Sequence, residues 1–182
     1  MSVSDAAPVG RIALEVNRIA QLFHTLDPSP FRESDLAPEA EDYIVEQAEE
    51  LPDRLPIEIV IHVGEFSSPS AFDVATAVRA YFRRRTQDQS RNLRTLFREG
   101  RRSLLVGVGI LSLCLLLGLL FKRILSGPLP DILTESFLIF GWVAIWKPSG
   151  IFLYEWPPIA MRRKLFRRLA GATVRFEGLS PP

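Results

Sequence analysis

Along the chain, apolar and polar positions fall into blocks of different period, and each block predicts an element. From Arg11 to Leu26, apolar residues recur as Ile12, Val16, Ile19, Phe23 and Leu26. Spacings of four, three, four and three predict an amphipathic helix, stopped by Asp27-Pro28-Ser29-Pro30. A second helix is expected over Pro38–Leu51, with proline in its first turn and Glu39, Glu41 and Asp42 near its positive end. Ile57–Val63 is β-branched and alternating, the clearest strand signal in the chain. After Ser67-Ser68-Pro69, a further helix starts on Phe72, Ala75, Val78 and Phe82. Neither proline nor glycine interrupts 70–99, so this helix is expected to run on, with Gly100 as a hinge.

The pattern then loses its polar face. Leu104–Phe121 is eighteen residues without a charge, which as a helix covers about 27 Å, close to the thickness of a bilayer's hydrocarbon. Leu129–Trp146 is a second apolar stretch, with Asp131 and Glu135 in its first half. Residues 122–128, containing Gly127-Pro128, make a short external turn, so the two helices are expected to form an antiparallel transmembrane hairpin. Ala172–Gly178 alternates as a strand should. Its obvious partner is 57–63, because a lone strand leaves its backbone hydrogen bonds unmade. The fold class expected is therefore an α-helical membrane protein. A two-helix transmembrane hairpin carries a small cytoplasmic α+β domain of helices plus a strand near 57–63, paired with 172–176. In domain terms, 1–10 is a disordered N-terminus and 11–100 the cytoplasmic domain, ending in a basic juxtamembrane helix. Spans at 104–121 and 129–146 flank the turn, 147–169 is an interfacial aromatic and basic segment, and 170–182 is a strand and tail.

Charge sets the topology. A formal net charge of +1 hides thirteen acids against four arginines in 1–58, eight arginines against two acids in 83–102, and five cations without an acid in 162–168. Basic flanks before the first span and after the second place both ends in the cytoplasm by the positive-inside rule. Arg98, Arg101, Arg102, Arg162, Arg163, Lys164, Arg167 and Arg168 are then candidates for anionic headgroups, and 159–169 for an amphipathic interfacial helix. Nucleic acid is not expected as a partner, since no motif of that kind accompanies the arginines. Lys122 and Arg123 fall outside, where they can pair with Glu135. The alternative reads Glu135 as a proton or cation site.

In Gly141–Pro158, GWVAIWKPSGIFLYEWPP, Trp142 and Trp146 form an aromatic belt at the cytoplasmic face and Lys147 snorkels to headgroups. Pro148 with Ser149-Gly150 is expected to end the helix, and Tyr154 and Trp156 to lie along the membrane surface. Ser103, Gly107, Cys114 and Gly118 form a small-residue stripe that packs on the second span near Gly141 and Ala144, homo-oligomerisation being the alternative. Cys114 is the single cysteine, so no intrachain disulfide exists. His24 and His62 lack companions at ligand spacing; no metal or cofactor is expected.

GWVAIWKPSGIFLYEWPP, with the upstream LDPSPFRESDLAPEAEDYIVEQA and PIEIVIHV, resembles an uncharacterised group of small two-span bacterial inner-membrane proteins sharing the pattern GWVAxWxPxxIFLYxW. The resemblance spans about Arg11 to Phe176. It implies an inner-membrane location and this architecture, and no activity. No nucleophile–base pair, P-loop or dinucleotide motif appears. The reading that follows is a non-enzymatic membrane adaptor or regulator, its acidic domain meeting a protein partner. Alternatives are a small oligomeric ion or proton transporter using Glu135, and a lipid-acting enzyme using Glu155.

Overall fold

The computed structural model describes residues 8–23, 35–64 and 71–178, and the side chains of the last of these from Asp73 onward. His24, the Asp27–Pro30 stop, the Ser67–Pro69 start and most of the N-terminal segment lie outside the described residues. The chain divides into two compact units, 1–89 with 161–182, and 90–160.

The first unit is built on a parallel three-stranded sheet, β1 (Gly10–Val16), β2 (Ile57–Val63) and β3 (Thr173–Gly178), in the order β1-β2-β3. Between β1 and β2 come a 3-10 turn, Ile19–Leu22, and helix α1, Pro38–Glu50. α1 starts with proline at its first position and ends before Leu51-Pro52, where the residue preceding proline is pushed out of the helical region. β2 is central and almost wholly buried, which suits its run of β-branched residues.

The helix expected over 11–26 is not formed in its described part, 11–23. Ile12, Leu14 and Val16 also alternate, and pairing with β2 (Ile12↔Ile59, Leu14↔Ile61) makes that period win. The expected contact of 57–63 with the C-terminal strand is present and parallel, Ile59 opposite Val174 and Ile61 opposite Phe176. With β1 added, the unit is a parallel α/β layer rather than α+β.

One face of the sheet carries the core. Ile12, Leu14, Ile59 and Ile61 pack with Ile44 and Ala48 of α1, with Val74, Val78 and Phe82 of helix α2 (Ala71–Ile124), and with Phe166 and Leu169 of helix α4 (Trp156–Ala170). Phe82 is fully buried, its ring edge-on to Tyr81 at 5.4 Å and 6.1 Å from Phe166. The opposite face carries Arg11, Glu58, His62, Arg175 and Glu177, in adjacent registers.

The connection from β2 to β3 contains the whole second unit. α2 is one continuous helix, so Gly100 is no hinge; it is a buried position whose missing side chain admits Ile151 and Phe152. After a turn in which Gly127 takes φ +100, helix α3 runs from Leu129 to Gly150 and passes through a π-helical segment, Ile151–Glu155, directly into α4. Two helices are thus long and apolar enough to cross a membrane. The expected stop at Pro148 does not occur.

Candidate functional site

In the second unit α2 and α3 lie antiparallel, joined along small residues. A methyl at Gly107 would stand 2.7 Å from the Ala144 carbonyl oxygen, and one at Gly118 would meet Thr134 at 3.0 Å. Gly141 faces Leu111 and Cys114, the latter buried and unoxidised. On α3 the buried positions Pro130, Gly141 and Pro148 are separated by eleven and seven residues, about three and two turns, which places them on one side of the helix. The Thr134 hydroxyl donates to the Gly118 carbonyl at 3.3 Å and to that of Pro130 at 2.7 Å. Phe121 stacks on Phe137 at 5.9 Å.

Pro148 explains the closest approach. It has no N–H for the Ala144 carbonyl one turn back, and that carbonyl is the group against which the Gly107 backbone packs. The Ser149 hydroxyl donates to the Ile145 carbonyl at 2.9 Å, and the Ile151 N–H reaches the carbonyls of Lys147 and Pro148, so the turn stays helical. Pro157-Pro158 has the analogous effect further on. Neither residue can donate, and a proline ring in an α-helix collides with the carbonyl four residues before it, here those of Leu153 and Tyr154. Widening Ile151–Glu155 to π geometry relieves that collision, and the Trp156 indole N–H donates to the Phe152 carbonyl at 2.9 Å. Phe97 of α2 meets Phe152 and Trp156 at 6.2 and 6.4 Å, so the helix pair continues into the arginine-rich stretch of α2.

Trp142, Trp146 and Tyr154 are 69%, 76% and 75% exposed, and Trp156 is 39% exposed. Lys147 is exposed among them. With Leu105, Leu116, Leu119 and Phe140 they make the outside of this unit predominantly apolar. At the turn end, the partner expected for Lys122 differs. Its ammonium pairs with Asp131 at 3.1 Å, while Glu135, one turn on, is exposed. Asp131 is the residue that sequence reasoning missed. Its signal was its place three positions after Pro128, nearer the turn than Glu135. Arg123, like Glu155 at the other end, is exposed.

The chain matches no family model, no curated protein sequence and no solved structure.

In the first unit, the basic residues of α4 separate into two groups. Its apolar face (Leu165, Phe166, Leu169, Ala170) is occupied by the core, so it is not free to lie on a bilayer as an interfacial helix. Lys164 pairs with Asp53 at 2.6 Å, and Arg168 donates to Asp53 and to the Pro52 and Leu55 carbonyls. The Lys164 hydrogen bond holds the Asp53 carboxyl below the usual range. Arg168 is thus largely covered, at 15% side-chain exposure, while Lys164 pairs at the surface. Arg162 and Arg167 are exposed, as are Arg98, Arg101 and Arg102 on α2, whereas the Arg163 Nε is buried without a hydrogen-bond partner.

Two further polar clusters were not anticipated. Glu58, 8% exposed on the central strand, accepts from Arg175 Nε at 2.8 Å and lies 3.4 Å from Arg11 Nε. A lone carboxylate in a run that reads as a buried strand demands a cation, and that was the available signal. Tyr81 donates to Glu41 at 2.5 Å, and Arg85 donates to the Tyr81 hydroxyl at 3.0 Å and to Glu41. Burial, and then that bond to Glu41, push the Tyr81 phenol above its usual range. This cluster ties α1 to α2. His62 lies 3.8 Å from Glu177. Among the described residues, no three His, Cys, Asp or Glu side chains come together as a metal would need.

Proposed function

We propose that the chain is a non-enzymatic, two-span protein of a bacterial inner membrane, with both termini in the cytoplasm, whose acidic domain recruits or regulates a protein partner there. The observation that carries this reading is topological. β2 precedes the helix pair and β3 follows it, yet they are neighbours in one sheet, so both ends of the pair must return to the same side. The outward apolar side chains of that pair suit lipid, since water tolerates few contiguous patches of this kind. The basic flanks suit the cytoplasmic leaflet.

For the partner, α1 is the natural face. It holds six acids and no cation, and Glu39, Asp42, Glu46, Glu49 and Glu50 are exposed. A basic protein surface is its complement. The test is crosslinking and pull-down from native membranes with the full chain. A 1–100 fragment is unsuitable, because it lacks β3 and the α4 residues of the core. Asp42→Lys with Glu46→Lys and Glu49→Lys is expected to lose the captured partner at least tenfold while the chain stays membrane-bound. Equal capture by this variant removes the adaptor reading.

A second reading is favoured by one observation, the exposure of Glu135 away from the Lys122–Asp131 pair. An unpaired carboxylate facing lipid is costly, by a few kcal/mol at mid-bilayer, and association of several copies around it would supply a polar path. On that reading, reconstituted vesicles show a cation or proton flux that Glu135→Gln abolishes without dispersing the oligomer. No flux in the wild-type chain ends it.

A further inference from the structure

Where α3 meets the π-helical segment, the outside of the second unit is indented. Ser149 and Gly150 are small, the widened turn follows at once, and large side chains stand on either side: Trp142 and Trp146 before, Leu153 and Tyr154 after. Together with Leu111 of α2 they line a groove of about 520 Å³, within the range of pockets that hold small ligands. Its walls are hydrocarbon and aromatic, with the Ser149 hydroxyl and Tyr154 phenol as polar points. An occupant must therefore be a slender apolar chain.

The charge at this level identifies what the chain is attached to. Gly107 lies opposite Ala144 and Gly100 opposite Ile151, so Ser149 and Gly150 are level with Arg101 to Ser103 of α2. Arg101 and Lys147 are exposed at this level, whereas Arg102, nine residues and so about 180° from Leu111 on the same helix, faces away from the groove. Glu99 and Glu155 lie further along the pair, away from the turn. A head carrying negative charge is matched and a neutral amine-bearing head is not.

We infer that this groove seats one acyl chain of an anionic phospholipid, its phosphate within reach of Lys147 and Arg101. The inference rests on the membrane reading above and adds a binding site to it. The proline and glycine content of Lys147–Gly150 then has a use: it keeps a helix continuous while emptying its surface of side chains.

Tryptophan quenching reads the site directly, since two of the three tryptophans wall it. The full chain is placed in phosphatidylcholine vesicles containing a small, fixed fraction of brominated phosphatidylglycerol or brominated phosphatidylcholine. The anionic lipid is expected to quench at a several-fold lower fraction. Lys147→Gln should cut that preference about fivefold, the effect of roughly 1 kcal/mol per cation near a surface. Nothing lies within 4 Å of a methyl built at Gly150, so Gly150→Leu fills the groove without a backbone clash. It should abolish the preference and leave quenching by bulk lipid intact. Equal quenching by the two lipids in the wild-type chain overturns the site, as does a preference that survives Gly150→Leu, and one untouched by Lys147→Gln overturns the headgroup assignment. A chain that fails to float with vesicles sinks the membrane reading and the site together, whereas one that floats without preference sinks the site alone.

Discussion

Phe82→Ala is expected to unfold the first unit, or to leave it barely folded. The side chain is fully buried and contacts Tyr81 on its own helix and Phe166 on α4. Removing a buried phenylalanine costs about 3–5 kcal/mol in lost transfer energy and residual cavity, against about 5–15 kcal/mol for a whole domain. The site cannot easily collapse, because its walls come from segments far apart in sequence: β2, the start of α2, and α4 after the second unit. α4 meets this ring through Phe166, and β3, paired with β2, follows α4 in the chain, so loosening of α4 should accompany the loss. The measurement is denaturant unfolding of the detergent-solubilised full chain, with limited proteolysis at Arg167 as a local readout. Phe82→Leu keeps most of the volume and should cost less than about 1.5 kcal/mol. A midpoint shift for Phe82→Ala no larger than that of Phe82→Leu would show that the two sides of the core are not coupled through this ring.

The same long-range closure explains what the sequence could and could not disclose. Stretches whose period is self-contained were legible: Ile57–Val63 as a strand, Leu104–Phe121 as an apolar helix, and Pro38 at the start of α1. The stripe of Gly107, Cys114 and Gly118 falls on the side of α2 that faces α3, because small residues at a 3.6-residue period have few other uses in an apolar helix. Residues 11–26 were ambiguous in principle. Ile12, Val16, Ile19 and Phe23 satisfy a helix, whereas Ile12, Leu14 and Val16 satisfy a strand. Only the parallel partner forty-seven residues away, Ile12 opposite Ile59, decides between them. α4 posed the same problem in another form. An amphipathic basic helix beside an aromatic segment reads as a membrane-surface element, and nothing local says that a sheet waits for its apolar face.

The helix through Lys147–Pro158 was misread for a different reason. Three prolines and a glycine counted as breakers are each individually disfavoured, yet each leaves a defect that a neighbour repairs. Gly107 fills beside the Ala144 carbonyl, Ser149 donates back to Ile145, and the Trp156 indole covers the Phe152 carbonyl. Propensity scores residues one at a time and so cannot see repairs made by side chains or by the facing helix. Asp131 replacing Glu135 at Lys122 follows the same logic, since the geometry of the turn, and not the charge pattern alone, selects which carboxylate is in reach.

Gly107→Leu is expected to separate α2 from α3 at a point where backbone meets backbone. A Cβ there would lie 2.7 Å from the Ala144 carbonyl oxygen and 3.3 Å from its carbon, both backbone atoms that no rotamer change can move. At Gly118 the obstacle is a Thr134 methyl at 3.0 Å, which can give by a few tenths of an ångström, so Gly118→Ala should be mild by comparison. Forcing a side chain into a packed contact costs about 1–3 kcal/mol even when neighbours can shift. Between helices in lipid there is no hydrophobic drive to offset it. The separation can be read by chemistry already present. A Cβ at Gly141 would stand 3.6 Å from that of Cys114, inside the spacing of a disulfide, so Gly141→Cys should crosslink to Cys114 on mild oxidation and shift the mobility of the chain. Of the Leu111 atoms near that Cβ, the side-chain tip at 2.6 Å can turn away, and the Cα at 3.2 Å requires the helices to give by a few tenths of an ångström. Adding Gly107→Leu to that background should slow crosslinking at least tenfold, while Gly107→Ala gives an intermediate rate and Gly118→Ala changes it little. Equal rates with glycine and leucine at 107 would mean that the helix pair is held elsewhere. The Ala144 carbonyl, deprived of its own donor by Pro148, would then need another partner.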